Sequence, residues 1–367
     1  MKDRFGNFIK NYSWLISICF GVLAIAFAFL PIISYEIREQ VFNISTGDRI
    51  SKLDYWYDHN LVSYFNTPYK LNFTIYITLG FIVLGIIFAA LSKIKEDYLS
   101  IGGIMFLLGM CMFLLSKEFF KSGENYVEDY CNVVAKIDES TQRLTVELHD
   151  LKISWGGALG IAFTTIAFAF TTIPQSKSTT KEIAEEGVLL SLAFVLNFIK
   201  IPVGATGGSI NFQMLPLMII ALRHGVAHGF IAGGIVYGLL TCLTDGYGFA
   251  CYPFDYLIGF GSVAVMGLFR KYIFSEEQKT YNFKGLLFIF IGGLLSTLIR
   301  FIGSNVSSIV IYGYNLEAAL AYNSFYIPLS GAIATIAFMA LYAPLITINR
   351  LYPVPSQNKE ASPASSN

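Results

Sequence analysis

Charge is scarce in this chain. Of its 367 residues only 14% are charged, divided evenly between 25 Lys or Arg and 25 Asp or Glu, while 54% are hydrophobic. The even balance removes the basic surplus on which nucleic-acid binding depends, and no basic stripe interleaved with aromatics occurs, so nucleic acid is excluded as a partner. Cysteine is sparse as well: Cys19, Cys111, Cys131, Cys242 and Cys251 lie scattered without CxxC spacing, which argues against a disulfide framework or a zinc ribbon. A P-loop phosphate-binding pattern, HExxH and GxSxG are all missing, so the chain has no ATP site of the P-loop type and no catalytic constellation. We therefore expect no enzyme, no cofactor and no metal. His224 and His228 stand four residues apart, but the sequence places no acidic or thiol ligand beside them.

Long apolar runs are what the chain does have. A bilayer core about 30 Å thick needs roughly 20 apolar residues per helix. Runs of suitable composition occur at 13–34, 71–92, 99–116 and 153–173, and then at 184–201, 211–223, 226–243, 254–274, 284–303 and 326–349. The expected fold class is an all-α polytopic membrane protein of about ten transmembrane helices, four N-terminal plus a bundle of six. The basic start followed by an apolar run lacks a small-residue cleavage site and reads as a retained first helix. Span 211–223 is short and interrupted by Pro216, as in a broken or tilted helix.

Lys2, Arg4 and Lys10, then Lys93 and Lys95, Lys177 and Lys181, Arg223, Arg270 and Lys271, and Arg350 all fall on one side if both termini are cytoplasmic. The expected organisation is a four-helix membrane block over 1–173 with two long extracellular loops, 35–70 and 117–152, and a cytoplasmic linker at 174–182. A second membrane domain over 183–352 and a disordered tail at 353–367 follow. A multi-pass membrane location follows from the same pattern.

A carboxylate beside apolar spans needs a reason, because a charge in hydrocarbon costs several kcal/mol unless it is paired or wet. Asp255 and Tyr256 open the span at 254–274, just after Tyr247, Tyr252 and Phe254. A carboxylate ringed by aromatic faces suits a cation, each ring contributing about 0.5–2 kcal/mol when dry. The competing role is a charge on the helix dipole with an interfacial tyrosine belt. Arg300 lies roughly 24 Å along its helix by the usual rise and is expected to form a structural ion pair with Asp255 or Asp245, with outward snorkelling or ligand contact as the alternatives. Asn323 and Tyr326 open the last span, and an amide there supplies both donor and acceptor to a heterocycle, or caps the helix. Gly187 and Ser191 form a small-xxx-small pair suited to close helix contact, within the chain or with a partner.

The run GGSINFQMLPLMIIALRHGVAHGFIAGGIVYGLL, then YPFDYLIGF followed by GLFRK, then YNSFYIP at 322–328, resembles the thiamine-specific S-component family of energy-coupling factor vitamin transporters over about 183–352. The resemblance implies a six-helix membrane protein that captures a vitamin from outside and works with a transmembrane scaffold subunit and two ATPase subunits. It implies Asp255, Tyr256 and Asn323 as ligand residues, Tyr312 as the stacking aromatic, and Gly187 and Ser191 as the scaffold-facing pair. Tyr247 and Tyr326 complete the expected substrate site. Ser304 stands where that family has a histidine four residues after a basic residue, Ala318 where a tyrosine is usual, and this half of the chain contains no Trp. The expected ligand is thus thiamine or a related pyrimidine or thiazole compound, with another vitamin as the alternative. The first 173 residues have no counterpart in the family. They could cap the binding face, or be the working part of a scaffold or cell-surface protein with a transporter-derived back half.

Overall fold

The computed structural model describes residues 2–61, 69–94, 97–116, 142–172, 179–203, 208–274 and 282–354. The chain divides into two compact units, Met1–Pro174 and Gln175–Asn367.

In the first unit, helix α1 (Lys2–Phe27) is followed by strands β1 (Ile33–Asn43) and β2 (Arg49–His59), helices α2 (Tyr69–Leu91) and α3 (Asp97–Leu114), strand β3 (Gln142–Ile153) and helix α4 (Trp155–Thr172). Small and large residues interlock in its core, where Ala24, Ala28, Ala89 and Ala167 meet Ile82, Phe106 and Phe113. The sheet corrects the all-α expectation. β1 is the central strand, antiparallel to both neighbours, with Ile37 opposite Tyr55 on one side and Leu148 on the other. The physical reason is a period of two: Ile33, Tyr35, Ile37 and Val41 alternate with Ser34, Glu36, Arg38 and Gln40, which favours a strand over a polar loop. Gly47 takes φ 71° in the turn that returns the chain into β2, and the Asn43 carboxamide accepts from the Ser45 backbone at 2.9 Å. Much of the expected outer loop 117–152 lies outside the described residues, as do most of the linker at 174–182 and nearly all of the tail.

The second unit begins with helix α5 (Thr180–Phe198). A capping box fixes its start: Thr179 accepts from the Glu182 amide at 3.3 Å, and the Glu182 carboxylate accepts from the Thr179 amide at 2.6 Å. A hairpin of β4 (Lys200–Val203) and β5 (Gly208–Asn211) leads into α6 (Met214–His224). Pro216 sits in the first turn of α6, where its missing N–H is no loss, so the expected interruption is a helix start. Helices α7 (Val226–Asp245), α8 (Phe249–Ile273), α9 (Phe283–Val310) and α10 (Leu316–Ala340) are, among the described residues, the four long and apolar enough to cross a bilayer. Helix α11 (Tyr342–Leu351) ends the unit. The other apolar helical stretches, such as Asn11–Phe27 and Met214–His224, are shorter.

Glycine sets two distances that matter to the site. A side-chain carbon at Gly233 on α7 would lie 2.6 Å from the Phe260 carbonyl oxygen, and one at Gly303 on α9 would lie 2.8 Å from the Phe254 carbonyl oxygen. Both pairs of helices thus meet backbone to backbone, as small residues permit in membranes. Within α7 and α8 the segments Ile231–Tyr237 and Tyr252–Ile258 are wound as π-helix, a form that concentrates at functional sites. The second of these carries Asp255.

Near the start of α5 a charged knot closes the bundle. Arg223 donates through Nε and Nη2 to both oxygens of Glu185, and further to Asn349 at 3.5 Å and to the Tyr352 carbonyl at 3.3 Å. His228 meets Glu186 at 2.6 Å, and His224, almost wholly buried, lies 3.6 Å from Glu185 and 3.9 Å from Glu186. The expectation that no acidic group accompanies the two histidines is therefore overturned. The carboxylates come from α5, about forty residues back in sequence, a pairing that local spacing does not reveal. Among the described residues no group of three or more His, Cys, Asp or Glu is placed to hold a metal ion.

Candidate ligand-binding site

A cavity of about 720 Å³ opens in the second unit. That is within the roughly 300–1,000 Å³ usual for small-molecule sites. The β4–β5 hairpin and helices α7 to α10 supply its walls, and all seven residues expected from sequence line it: Tyr247, Asp255, Tyr256, Ser304, Tyr312, Asn323 and Tyr326.

Asp255 is held from across the helix boundary, because Ser307 of α9 donates to its Oδ2 at 2.5 Å. The π-helical turn and the close approach at Gly303 bring these two elements together. Tyr256, 6% exposed, donates through its hydroxyl to Asp245 Oδ2 at 3.1 Å, so a second carboxylate enters the cavity wall. Asp245 stands at the end of α7, where Gly246 turns the chain with φ 75°.

Asn323 is buried and almost fully engaged. Its amide nitrogen donates to Asn305 Oδ1 at 3.3 Å, Ser308 Oγ at 3.0 Å and the Ala319 carbonyl at 3.0 Å, and its oxygen accepts from Tyr326 at 3.1 Å. It does not cap a helix. α10 begins ten residues earlier than the expected 326, at Leu316, and the cap is Asn315, which accepts from the Ala318 amide at 2.8 Å. The amide of Asn323 therefore acts two turns inside the helix, and its oxygen keeps a second lone pair for a donor in the cavity.

Tyrosines rim the opening in sequence. Ring centroids of Tyr312 and Tyr314 are 6.4 Å apart, of Tyr314 and Tyr322 6.5 Å, and of Tyr322 and Tyr326 5.5 Å. The Tyr312 hydroxyl sits 3.0 Å from Cys251 Sγ, and burial together with this thiol contact pushes the phenol up. Tyr314 and Tyr322 were not expected; the misplaced start of α10 left Tyr322 in a loop, and Tyr314 stands just ahead of that helix. Ala318, the position of a usual family tyrosine, is exposed and does not line the cavity.

Arg300 departs from its expected role. No carboxylate pairs with it among the described residues. Its guanidinium lies over the Phe260 ring at 5.1 Å, Nη1 donates to the Met214 sulfur at 3.1 Å, and the buried Nε has no partner. The Asp255 carboxylate is taken instead by Ser307, about two turns further along α9. Gln213 is another lining residue that sequence reasoning missed. It is held by a 2.7 Å hydrogen bond from the fully buried Tyr237, and a lone amide between apolar runs carries no local signal.

Gly187 and Ser191 lie on an exposed face of α5. A side-chain carbon at Gly187 would meet nothing within 4 Å, and Ser191 Oγ returns to the Gly187 carbonyl at 2.8 Å. Exposed apolar side chains Val188, Leu192 and Val195 lie on the same helix.

Comparison with known proteins gives a consistent result for this half of the chain. Residues 183–350 match the family model described as thiamine transporter protein. The thiamine transporter ThiT of Bacillus subtilis (strain 168) is 28% identical over 191 residues, which is 46% of this chain and 93% of that protein. ThiT of Lacticaseibacillus paracasei is 24% identical over 141 residues, 36% of this chain and 68% of that protein. Among solved structures, ThiT from Listeria monocytogenes aligns with a TM-score of 0.40 at 22% identity, over 46% of this chain and 96% of that one. The S component of a bacterial ECF transporter aligns with a TM-score of 0.34 at 21% identity, over 47% of this chain and 98% of that one. Residues 183–350 of this chain are thus similar to the thiamine transporter family and to ThiT.

Proposed function

We infer that the second unit is the substrate-capture part of an energy-coupling factor importer for thiamine, or for a closely related compound pairing a pyrimidine with a thiazolium ring. The observation that carries this reading is the cavity in which Asp255, anchored by Ser307, stands beside Tyr256 and below a rim of tyrosines. A fixed carboxylate with aromatic faces around it stabilises a flat cation by charge pairing and ring quadrupoles together. Tyr256, Asn323 and Ser304 offer the polar contacts that orient a heterocycle. In this reading the cavity faces the exterior of a bacterial cell membrane, about ten helices cross the bilayer, and both termini are cytoplasmic.

The chain contains no P-loop, so the energy for release comes from a scaffold subunit and two ATPases. The uncovered small-residue face at Gly187 and Ser191 is the natural contact for the scaffold, because backbone can approach backbone there. A different vitamin is the second reading. It is favoured by Ser304, a short hydroxyl where a ring would fill space, and by the absence of a side chain from position 318 in the cavity.

The test is mass spectrometry of small molecules released from purified, denatured protein, followed by calorimetric titration of the intact chain with thiamine. Recovery of thiamine with tight binding supports the first reading. An unrelated vitamin recovered in its place supports the second, and no binding of any such compound overturns both.

A further inference from the structure

Arg300 is 7% exposed, lines the cavity, and is left without a carboxylate among the described residues. Its Nη1 donates to a thioether, a weak acceptor, and its Nε is sealed from water with no acceptor among the described residues. A buried cation in that condition is costly, and the cavity is the side from which a better acceptor can come.

The arrangement along α9 says what kind of acceptor. Arg300, Ser304 and Ser308 follow one another at four-residue intervals, so they stand on one helical face, and all three line the cavity. Ser307, which holds Asp255, lies about two turns beyond Arg300, roughly 10 Å along the axis. Ser304, one turn from Arg300, also hydrogen-bonds Asp255, so the cavity carries a negative group at Asp255 and a positive one at Arg300 with serine hydroxyls between them. A cationic ring is drawn to the first and repelled from the second, where the dielectric is low and like charges are poorly screened.

We propose that Arg300 is a ligand-contact residue, donating from its guanidinium to an uncharged, acceptor-bearing part of the captured compound while the compound's cationic ring lies beside Asp255. The assignment rests on the capture reading above and adds a polarity to it. The substrate is bipolar, with a delocalised cation at one end and a ring nitrogen or hydroxyl oxygen at the other. The Phe260 ring, 5.1 Å from the guanidinium carbon, holds the Arg300 head at the cavity wall before the ligand arrives.

Three probes test this on the full chain in detergent or nanodiscs: thiamine, an analogue with phenyl in place of the aminopyrimidine, and an analogue with ethyl in place of the hydroxyethyl group. Arg300→Met should weaken thiamine by about tenfold to a hundredfold, the range for losing a hydrogen bond from a charged donor. It should leave unchanged the affinity of whichever analogue has lost the acceptor, and that analogue identifies the ring nitrogen or the hydroxyl as the atom read. Arg300→Lys, which keeps the charge but not the planar fork, should show the same pattern with a smaller loss, and serves alone if the Met variant does not fold. Equal weakening of all three probes, or an unchanged thiamine affinity in both variants, overturns the proposal. Wild-type protein that is folded but binds no thiamine overturns the capture reading instead.

Discussion

Ser307 donates a 2.5 Å hydrogen bond to Asp255, so the carboxylate on α8 is oriented by α9 and not by its own helix. The pair works only while the two helices stay in register. Gly303 is one turn from Ser307 and in contact with the Phe254 carbonyl, which makes it the point where that register is set.

Asp255→Ala removes the negative group of the cavity together with its hydrogen bond from Ser307 on α9. Thiamine affinity should fall on the order of 10²-fold, as when one partner of a buried charge pair is truncated. Calorimetric titration measures it, with a cooperative melting transition as the control for folding. Unchanged affinity would show that Asp255 does not meet the ligand.

Ser307→Ala leaves Asp255 in place but unanchored from α9. A loss of about 1 kcal/mol in binding, roughly fivefold in Kd, is the expected cost of a carboxylate that must be ordered by the ligand itself. The same titration reads it, and Ser307→Thr, which keeps the hydroxyl, should recover most of the loss.

Gly303→Leu forces bulk between α9 and α8. Overpacking of this kind costs about 1–3 kcal/mol, so the melting temperature should drop and ligand affinity should drop with it. A melting curve with and without thiamine separates the two effects. Normal affinity and stability together would mean that the helices do not meet there.

Gly187→Leu should behave in the opposite way. Nothing within 4 Å opposes a side chain at that position, so fold and thiamine binding should stay within experimental error of the wild type. Recovery of scaffold and ATPase subunits with the tagged chain should be lost, because a large side chain prevents close helix contact. Undiminished co-purification would remove this face from the interface.

How much of this was readable beforehand follows from range in sequence. The apolar runs and the order of the motifs over 183–352 announced the bundle, and hydropathy needs no tertiary information. The residues that line the cavity were legible where polarity interrupts an apolar span, as at Asp255, Ser304 and Asn323. Three things were hidden. The strands of the first unit were passed over because a hydropathy window averages an alternating pattern to a polar mean, although Ile33 to Val41 does alternate. The start of α10 was placed at 326 because polar Glu317 and the tyrosines mask a helix that Asn315 caps. The partner of Asp255 was misjudged since charge alone nominated Arg300, whereas a serine two turns away had the geometry. Threonine 179 with Glu182 did spell a capping box, and that signal could have moved the start of α5 to its observed place.

The knot around Arg223 gives the C-terminal segment a duty of its own. Asn349 and the carbonyl of Tyr352 both reach that guanidinium, as does Glu185 near the start of the first helix of the unit, so the beginning and the end of this half of the chain are buckled together at one side chain. A stop codon after Val354 should be silent, whereas one ahead of Asn349 would unclasp the bundle at the end remote from the tyrosine rim.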